Sequence, residues 1–259
     1  MSGLAIVIVS YNAKSHLLAC LHALRAAPPA VSHEIVVVDN ASQDGSGDAA
    51  RGVAGVRVIA LERNAGFAAA NNAGIRATDG ELILLLNSDT LVPAGAIDAL
   101  VARLREVREA GVAGPRLVDG SGEPELSFGP MISPLNEYRQ KHRRPAFTAR
   151  ETRREQFVDW VSGACLLVWR SDAEAVGLLD ERFFLYTEDV DFCAAIRKRG
   201  RKVLFSPVAT VTHLRGRSRA SRPEASRQAY RRSHVAFYEK HHPLWAPVLK
   251  MYLRVKGEL

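Results

Sequence analysis

The run Leu82-Ile83-Leu84-Leu85-Leu86, opened by Glu81 and closed abruptly by Asn87, Ser88 and Asp89, constrains the fold more than any other segment. A short, unbroken apolar run between polar residues reads as a strand buried on both faces, and such strands belong to parallel sheets covered by helices. Pro93 follows as an expected first-turn residue of the next helix. Open α/β sheets bind ligands beyond the carboxyl ends of their strands. A carboxylate at Asp89 is therefore placed to hold a hard cation, Mg²⁺ or Mn²⁺, against a diphosphate. It is equally placed to cap the helix starting near Pro93. The segment alone leaves both roles open.

At 259 residues the chain is long enough for one large α/β domain or two small ones. A 47% hydrophobic and 24% charged composition is that of a soluble globular protein, and no run approaches the length needed to span a bilayer. Leu4 to Val9 follows no basic region and precedes no small-residue cleavage site, so no signal peptide is expected. Cys20, Cys165 and Cys193 are odd in number and scattered, as reduced core cysteines of a cytoplasmic protein would be. Without a secretory signal, the glycosylation sequon at Asn40 to Ser42 carries no weight. The net charge of +7 is concentrated at residues 139–154 and 215–232. Such clusters attract phosphates, nucleic acid or an anionic membrane, or else form a solvated arginine-rich surface. No recognised nucleic-acid module or stacking platform accompanies them, so nucleic acid is not expected as a partner.

Periodicity places strands at Leu4 to Val9, Glu34 to Val38, Val56 to Leu61 and Glu81 to Leu86. Between and after them, helices are marked by Leu17, Leu18, Leu21 and Leu24, by the alanine-rich stretch Phe67 to Arg76, and by Ile97, Leu100, Val101, Leu104 and Val107. Strands alternating with helices describe a parallel, doubly wound nucleotide-binding half. After a strand at Val112 to Val118, residues 119–155 read as a long, partly mobile excursion rich in Gly, Pro, Ser and Arg. Phe157 to Trp169 is strand-like with a bend at Gly163. A helix from Glu188 to Arg199 ends at Gly200. Two strands follow, Lys202 to Phe205 and Ala209 to His213, then helices over Pro223 to His242 and Leu244 to Lys256. The expected division is a catalytic domain over residues 1–222 with a helical tail over 223–259, packed on it or extending from it.

Each early strand ends in polar residues: Ser10, Tyr11 and Asn12; Asp39 and Asn40; Asn64 and Gly66; Asn87 to Asp89. Isolated turns use the same residue types, but all four would share the ligand-binding edge of the sheet. These stretches, with Asn71-Asn72, Phe184 to Asp191 and His213 to Ser218, run in order from about residue 4 to 218. In that pattern the chain resembles family-2 glycosyltransferases of the GT-A fold, in particular rhamnosyltransferase-like members.

That resemblance implies a role for each matching position. Tyr11, Asn12, Asp39 and Asn64 would bind the nucleoside of a nucleotide-sugar donor, with Ser10, Gly66, Asn72, Asn87 and Ser88 completing the nucleotide site. Asp89 matches the metal-binding last position of an acidic triplet whose first position here is Asn87, leaving one carboxylate to carry most of the load. His213 would complete the metal or diphosphate site, or else be a core histidine ending a strand. Arg215, Arg217 and Ser218 would lie in a loop closing over the diphosphate. Trp160 and Gly163 match a segment near the acceptor, where Trp160 can stack on a sugar or serve the core. Thr187, Glu188 and Asp189 make a good helix start, a cap followed by acids in a positive first turn. Capping does not explain the apolar approach through Phe183, Phe184 and Leu185, which would hold a carboxylate where its pKa can rise. The expected base is Asp189, with Glu188 as its positioning partner and Asp191 supporting on the acceptor side. Asp189 would take the acceptor hydroxyl's proton, the cation at Asp89 would neutralise the diphosphate, and a single displacement would invert the anomeric carbon. The implied donors are dTDP-rhamnose or a UDP-sugar, the acceptor a glycan or lipid-linked precursor, and the location cytoplasmic, at or away from the inner face of the membrane.

Two other functional readings remain at this point. Gly45-Ser46-Gly47-Asp48-Ala49-Ala50, with Glu62 after the next strand, fits the spacing of a nicotinamide-dependent oxidoreductase, although the glycines do not open directly from the strand. The arginine clusters could instead belong to a basic nucleic-acid-binding protein. Within the enzyme reading, Arg231, Arg232, Lys240, Trp245, Leu249, Lys250, Met251, Tyr252, Leu253 and Lys256 mix basic and apolar side chains as an interfacial helix does, or as an ordinary packed tail does. The oligomeric state is not legible.

Overall fold

The computed structural model describes residues 3–141, 149–214 and 223–258. Its first half alternates strands and helices: β1 (Leu4–Ser10), α1 (Lys14–Ala26), β2 (His33–Asp39), α2 (Ser46–Arg51), β3 (Val56–Ala60), α3 (Phe67–Arg76) and β4 (Leu82–Asn87). The strands lie in the order β3-β2-β1-β4, all parallel, so the chain reverses direction across the sheet between β1 and β4. That reversal opens a crevice at the carboxyl edge. Leu82 to Leu86 are each 1% exposed or less. At roughly 1.5–3 kcal/mol per large apolar side chain, β4 anchors the sheet.

β5 (Thr90–Leu91) and α4 (Ala96–Glu106) follow, then the edge-to-edge run of β6 (Ala110–Val118). Pro93 lies ahead of α4, not in its first turn: the helix starts at Ala96 behind Gly95, whose φ is +75°. Asp89 is therefore too far upstream to cap it, which removes the capping role that the sequence left open.

The excursion contains β7 (Pro124–Glu125), β8 (Phe128–Gly129) and α5 (Pro134–Lys141). Phe157 to Trp169 is not one strand with a bend but three, β9 (Gln156–Val158), β10 (Trp160–Val161) and β11 (Cys165–Trp169), with Gly163 in the turn before β11. β11 runs antiparallel between β4 and β6 and extends the sheet. After α6 (Arg170–Ala175) and α7 (Glu188–Lys198), the two expected strands are one, β12 (Lys202–His213). It pairs with β6 through a register shift between Ser206 and Thr210. Pro207 falls inside that shift, where its missing N–H breaks the ladder without ending the strand.

The tail helices α8 (Pro223–His241) and α9 (Ala246–Val255) pack back on this body. Phe237, Tyr238 and Ala246 form an apolar cluster with Phe183 and Val190, the residues flanking the start of α7. Cys20, Cys165 and Cys193 are free and buried. Burial pushes each thiol up to about 12, so all three are inert core residues.

Candidate active site

Strand register decides what meets at the carboxyl edge. Ser10 stands opposite Asp39 on β2, and Val9 opposite Asn87 on β4. A cleft of about 420 Å³ opens there, with Tyr11, Asn40, Asn64 and Ser88 among its walls on this side. Asn40 ties two strand ends together: its Nδ2 donates to Asn64 Oδ1 (2.9 Å) and Gly66 O (3.3 Å), and its Oδ1 accepts from Ala65 N–H (2.8 Å). Asn12, at φ +51°, accepts from Gln43 N–H through Oδ1 (2.7 Å) and so closes the β1 and β2 loops on each other. Asp39 accepts from Ser42 N–H (3.3 Å). A methyl group on Gly47 would sit 2.6 Å from Asp39 Oδ2. The second glycine of the oxidoreductase-like motif is thus accounted for by the Asp39 carboxylate, and the six-residue helix that the motif opens is separated from β2 by residues 40–45 instead of leaving the strand directly.

Gly66 has a different reason to be glycine. Its φ is +89°, and a Cβ there would lie 2.5 Å from the carbonyl oxygen of Phe184. Phe67 N–H donates to that same carbonyl (2.7 Å), so the segment before α7 is laid directly on the start of α3.

Asp89 and His213 meet through the backbone. β5 pairs antiparallel with the end of β12, opposing His213 to Thr90, and Leu214 N–H donates to Asp89 O (2.8 Å). His213 Nε2 is 3.3 Å from Asp89 Oδ1, and its Nδ1 is 3.2 Å from Glu125 Oε2, 88 residues earlier on β7. Burial pushes the imidazole pKa down, and the Asp89 and Glu125 carboxylates more than offset it, leaving it raised. Asn87 Nδ2 is 3.5 Å from the same Nε2, and its buried Oδ1 has no protein partner. Among the described residues no trio of His, Cys, Asp or Glu forms a complete metal cage. One carboxylate, one imidazole held from behind by a second carboxylate, and an unsatisfied amide oxygen fit a hard cation that takes its remaining ligands from phosphate and water.

The opposite wall is the start of α7. Tyr186 and Thr187 are consecutive non-glycine residues at φ +70° and +66°. Such conformations cost about 1–3 kcal/mol each and persist only where surroundings enforce them. Here Ser233 Oγ of α8 donates to Leu185 O (2.8 Å), and Asp191 N–H donates to Thr187 O (2.9 Å). The Thr187 hydroxyl makes no cap, and its buried Oγ1 has no partner. The strained turn instead delivers Glu188 and Asp189 into the cleft wall. Asp189 Oδ2 accepts from Gly163 N–H (2.8 Å) and Oδ1 from Val190 N–H (2.8 Å). Burial raises its pKa, and these backbone donors only partly oppose the rise. Glu188 is buried deeper, with Oε2 unpartnered, and burial together with the neighbouring Asp189 charge pushes it well above the usual carboxylate range. Both carboxyls are thus held above the usual range by burial, Glu188 further so by the charge of its neighbour.

Among the described residues, six predicted ones do not line the cleft: Ser10, Asn12 and Asp39 lie at the strand ends beside it, and Asn72, Asp191 and Trp160 are engaged elsewhere. Asn72 is 1% exposed, with its amide fully used by Leu179 N–H and O and by Glu181; it fastens the loop after α6 and has no donor left for a nucleotide. Asp191 faces the tail, where Lys240 Nζ (2.8 Å) and His241 Nε2 (2.6 Å) take its two oxygens. Trp160 donates Nε1–H to Pro130 O (3.0 Å) and packs its ring on Gly129 and the core. Arg215, Arg217 and Ser218 lie outside the described residues. Conversely, Glu125, His16 and Ser233 belong to the site or its bracing and were not anticipated, while Asn40, expected at the ligand-binding edge, proves to tie two strand ends together. A carboxylate–imidazole pair and two buried acids thus line one cleft at the carboxyl edge of a doubly wound sheet, where such sheets bind ligands.

Residues 5–176 match the family described as Glycosyl transferase family 2, and the chain belongs to that family. It is 31% identical to the N-acetylglucosaminyl-diphospho-decaprenol L-rhamnosyltransferase of Mycobacterium tuberculosis, over 97% of this chain and 89% of that protein. It is 28% identical to the dTDP-rhamnosyl transferase RfbF of Shigella flexneri, over 83% and 70% of the two chains. Among solved structures it superposes on the mannosyltransferase PcManGT of Pyrobaculum calidifontis, in complex with GDP-Man and Mn²⁺, at a TM-score of 0.65 and 18% identity, covering 96% of this chain and 68% of that one. The fold is GT-A, and the protein is a rhamnosyltransferase-like glycosyltransferase, as the sequence pattern implied.

Proposed function

We propose that this enzyme moves a sugar, with dTDP-rhamnose as the leading donor and UDP-sugars next, onto a hydroxyl of a lipid-linked or polysaccharide precursor, with inversion. The observation that carries the reading is that Asp189 and the Asp89–His213 pair line one cleft at the sheet edge where Tyr11, Asn40 and Asn64 also converge. The names of the two relatives, one acting on a diphospho-decaprenol and one using a dTDP-sugar, support the substrate classes.

Tyr11 offers an aromatic face to the base, while Asn40 and Asn64 hold the wall beside it. Asp89 and His213, with Asn87 Oδ1 beside them, would hold Mg²⁺ or Mn²⁺, which supplies positive charge to the departing diphosphate. Gly163 and Val190 N–H groups fix the Asp189 carboxylate in orientation. Its raised pKa makes it a better base than an exposed aspartate. Asp189 accepts the acceptor hydroxyl's proton as that oxygen bonds to the anomeric carbon. The bond from that carbon to the diphosphate oxygen breaks on the opposite face, and the electron pair leaves with the nucleotide. Glu188, buried beside Asp189 and held above the usual carboxylate range, positions that residue. Residues 1–222 would form the catalytic unit, with 223–259 bracing it through Ser233 and Lys240.

A thermal-shift panel of dTDP-rhamnose, UDP-glucose, UDP-N-acetylglucosamine, GDP-mannose and NADH, each with and without Mn²⁺, tests this directly. A metal-dependent rise in Tm with a dTDP- or UDP-sugar is expected by linkage. Stabilisation by NADH alone would overturn it.

A further inference from the structure

Among the described residues, nothing covers the outer face of α9. Leu244, Trp245, Val248, Met251, Tyr252 and Val255 are between 45% and 89% exposed and recur at the spacing of one helical stripe. The opposite stripe explains why the helix is there at all. Ala246 and Leu253 are buried, and Leu249 packs on the cluster containing Phe183 and Val190 beside the catalytic acids. A tail that merely completed the core would turn its large side chains inward. This one places its small residue and two leucines inward and its tryptophan, tyrosine, methionine and valines outward.

Charge identifies what the outer stripe fits. From Leu244 to Lys256 the chain carries Lys250, Arg254 and Lys256 and no acidic residue. Lys256 Nζ lies 4.7 Å from the Tyr252 ring centroid, flanking the stripe with positive charge. Among the described residues no helix is long and apolar enough to cross a membrane. An amphipathic helix with an aromatic-rich apolar face and basic flanks lies flat in a bilayer interface, its apolar side about 5–10 Å deep and its cations at the level of anionic headgroups. A second copy of the chain is the poorer occupant. Lys250 is paired with Glu239 of α8, and a twofold pairing of this face would set Arg254 and Lys256 against their own copies. A ten-residue helix, about 15 Å long, also presents far less than the ~800 Å² per partner that a stable dimer buries.

We propose that α9 is an interfacial membrane contact that seats the enzyme on an anionic bilayer, with the catalytic end of α7 one layer above the lipid. The contact does not depend on the transfer chemistry being right. It would, however, bring a lipid-linked acceptor to the side of the cleft where Glu188 and Asp189 stand.

The test is flotation of the full chain with vesicles of phosphatidylcholine alone or with about one-third phosphatidylglycerol. The protein should float with the anionic vesicles, lose binding as salt rises, and bind neutral vesicles weakly. W245S/M251S/V255S should lower partitioning at least tenfold. R254Q/K256Q should lower it by about fivefold per charge on anionic vesicles and change little on neutral ones. Both variants should keep the wild-type Tm and the wild-type thermal shift with the nucleotide sugar. That last readout keeps a failed membrane proposal separate from a failed donor assignment. No flotation, flotation unchanged by the triple variant, or a concentration-dependent dimer abolished by that variant would overturn the proposal.

Discussion

Glu188→Gln should make the protein more stable and the enzyme slower, and the stability gain should depend on pH in a stated direction. Glu188 is 5% exposed, its Oε2 has no partner, and burial and Asp189 raise its pKa well above that of an unfolded glutamate. A group whose folded pKa is raised binds more protons in the folded state between the two pKa values. Stability is therefore lost as pH rises through that window, and each unit of difference is worth about 1.4 kcal/mol. Glutamine keeps the shape and never ionises. Its amide would still be under-satisfied, which takes back about 1–3 kcal/mol. At about 1.4 kcal/mol per pH unit, the variant gains on the wild type once the pH stands roughly one to two units above the unfolded pKa, and the Tm difference widens from there while the folded carboxyl stays protonated. Below pH 4 the difference should vanish or reverse, since both side chains are then neutral. Thermal unfolding of both proteins in steps from pH 4 to 8 reads this out. A Tm difference that stays flat across the range, or that grows toward acid, would refute the reasoning.

Other perturbations probe the supports of the site. Gly66→Ala places a methyl 2.5 Å from the Phe184 carbonyl at a φ of +89°; a loss of about 2–4 kcal/mol is expected in denaturant midpoints. Lys240→Met removes the ammonium partner of the buried Asp191 carboxylate, leaving the His241 imidazole. Because Lys240 is part-exposed, the loss should be about 1–2 kcal/mol rather than that of a fully buried pair. Glu125→Gln releases the His213 ring from behind. Calorimetric titration should then show Mn²⁺-dependent donor binding weakened 10–100-fold, with metal-free nucleotide binding unchanged.

Much of the fold and the donor side of the cleft was legible because parallel strands announce themselves locally. Each apolar run ends in a polar residue, and strand order then aligns those ends without further information, as with Ser10, Asp39 and Asn87. The apolar approach through Phe183, Phe184 and Leu185 points to a buried setting for Glu188 and Asp189, and the structure puts both in the cleft wall. What was not legible depends on contacts between distant segments. Glu125 sits on a two-residue strand whose partner, His213, comes 88 residues later, and no local pattern marks such a strand. Asp191 shares a turn with the catalytic acids, so spacing suggested a shared role; the tail supplies its partners, and only packing reveals that. Only the family resemblance places Asn72 at the nucleotide, whereas its amide fastens the loop at Leu179, a partner 107 residues away. Thr187 has cap chemistry but the wrong backbone, because a positive φ turns its hydroxyl away from the helix.

The most direct test separates binding from chemistry in one variant. In Asp189→Asn, one side-chain oxygen can still accept from Gly163 or Val190, so the turn and the donor wall should persist. Transfer from dTDP-rhamnose, or from whichever donor gives the largest thermal shift, should be measured under saturating donor and Mn²⁺ across pH 5 to 9, alongside donor affinity. Loss of the base should lower kcat by about 10²–10⁴, leave donor affinity within threefold of wild type, and abolish the acid-side fall in rate that the wild type shows as Asp189 takes up its proton. Transfer at near wild-type rate, or a rate lost only in proportion to donor affinity, would contradict Asp189 as the base.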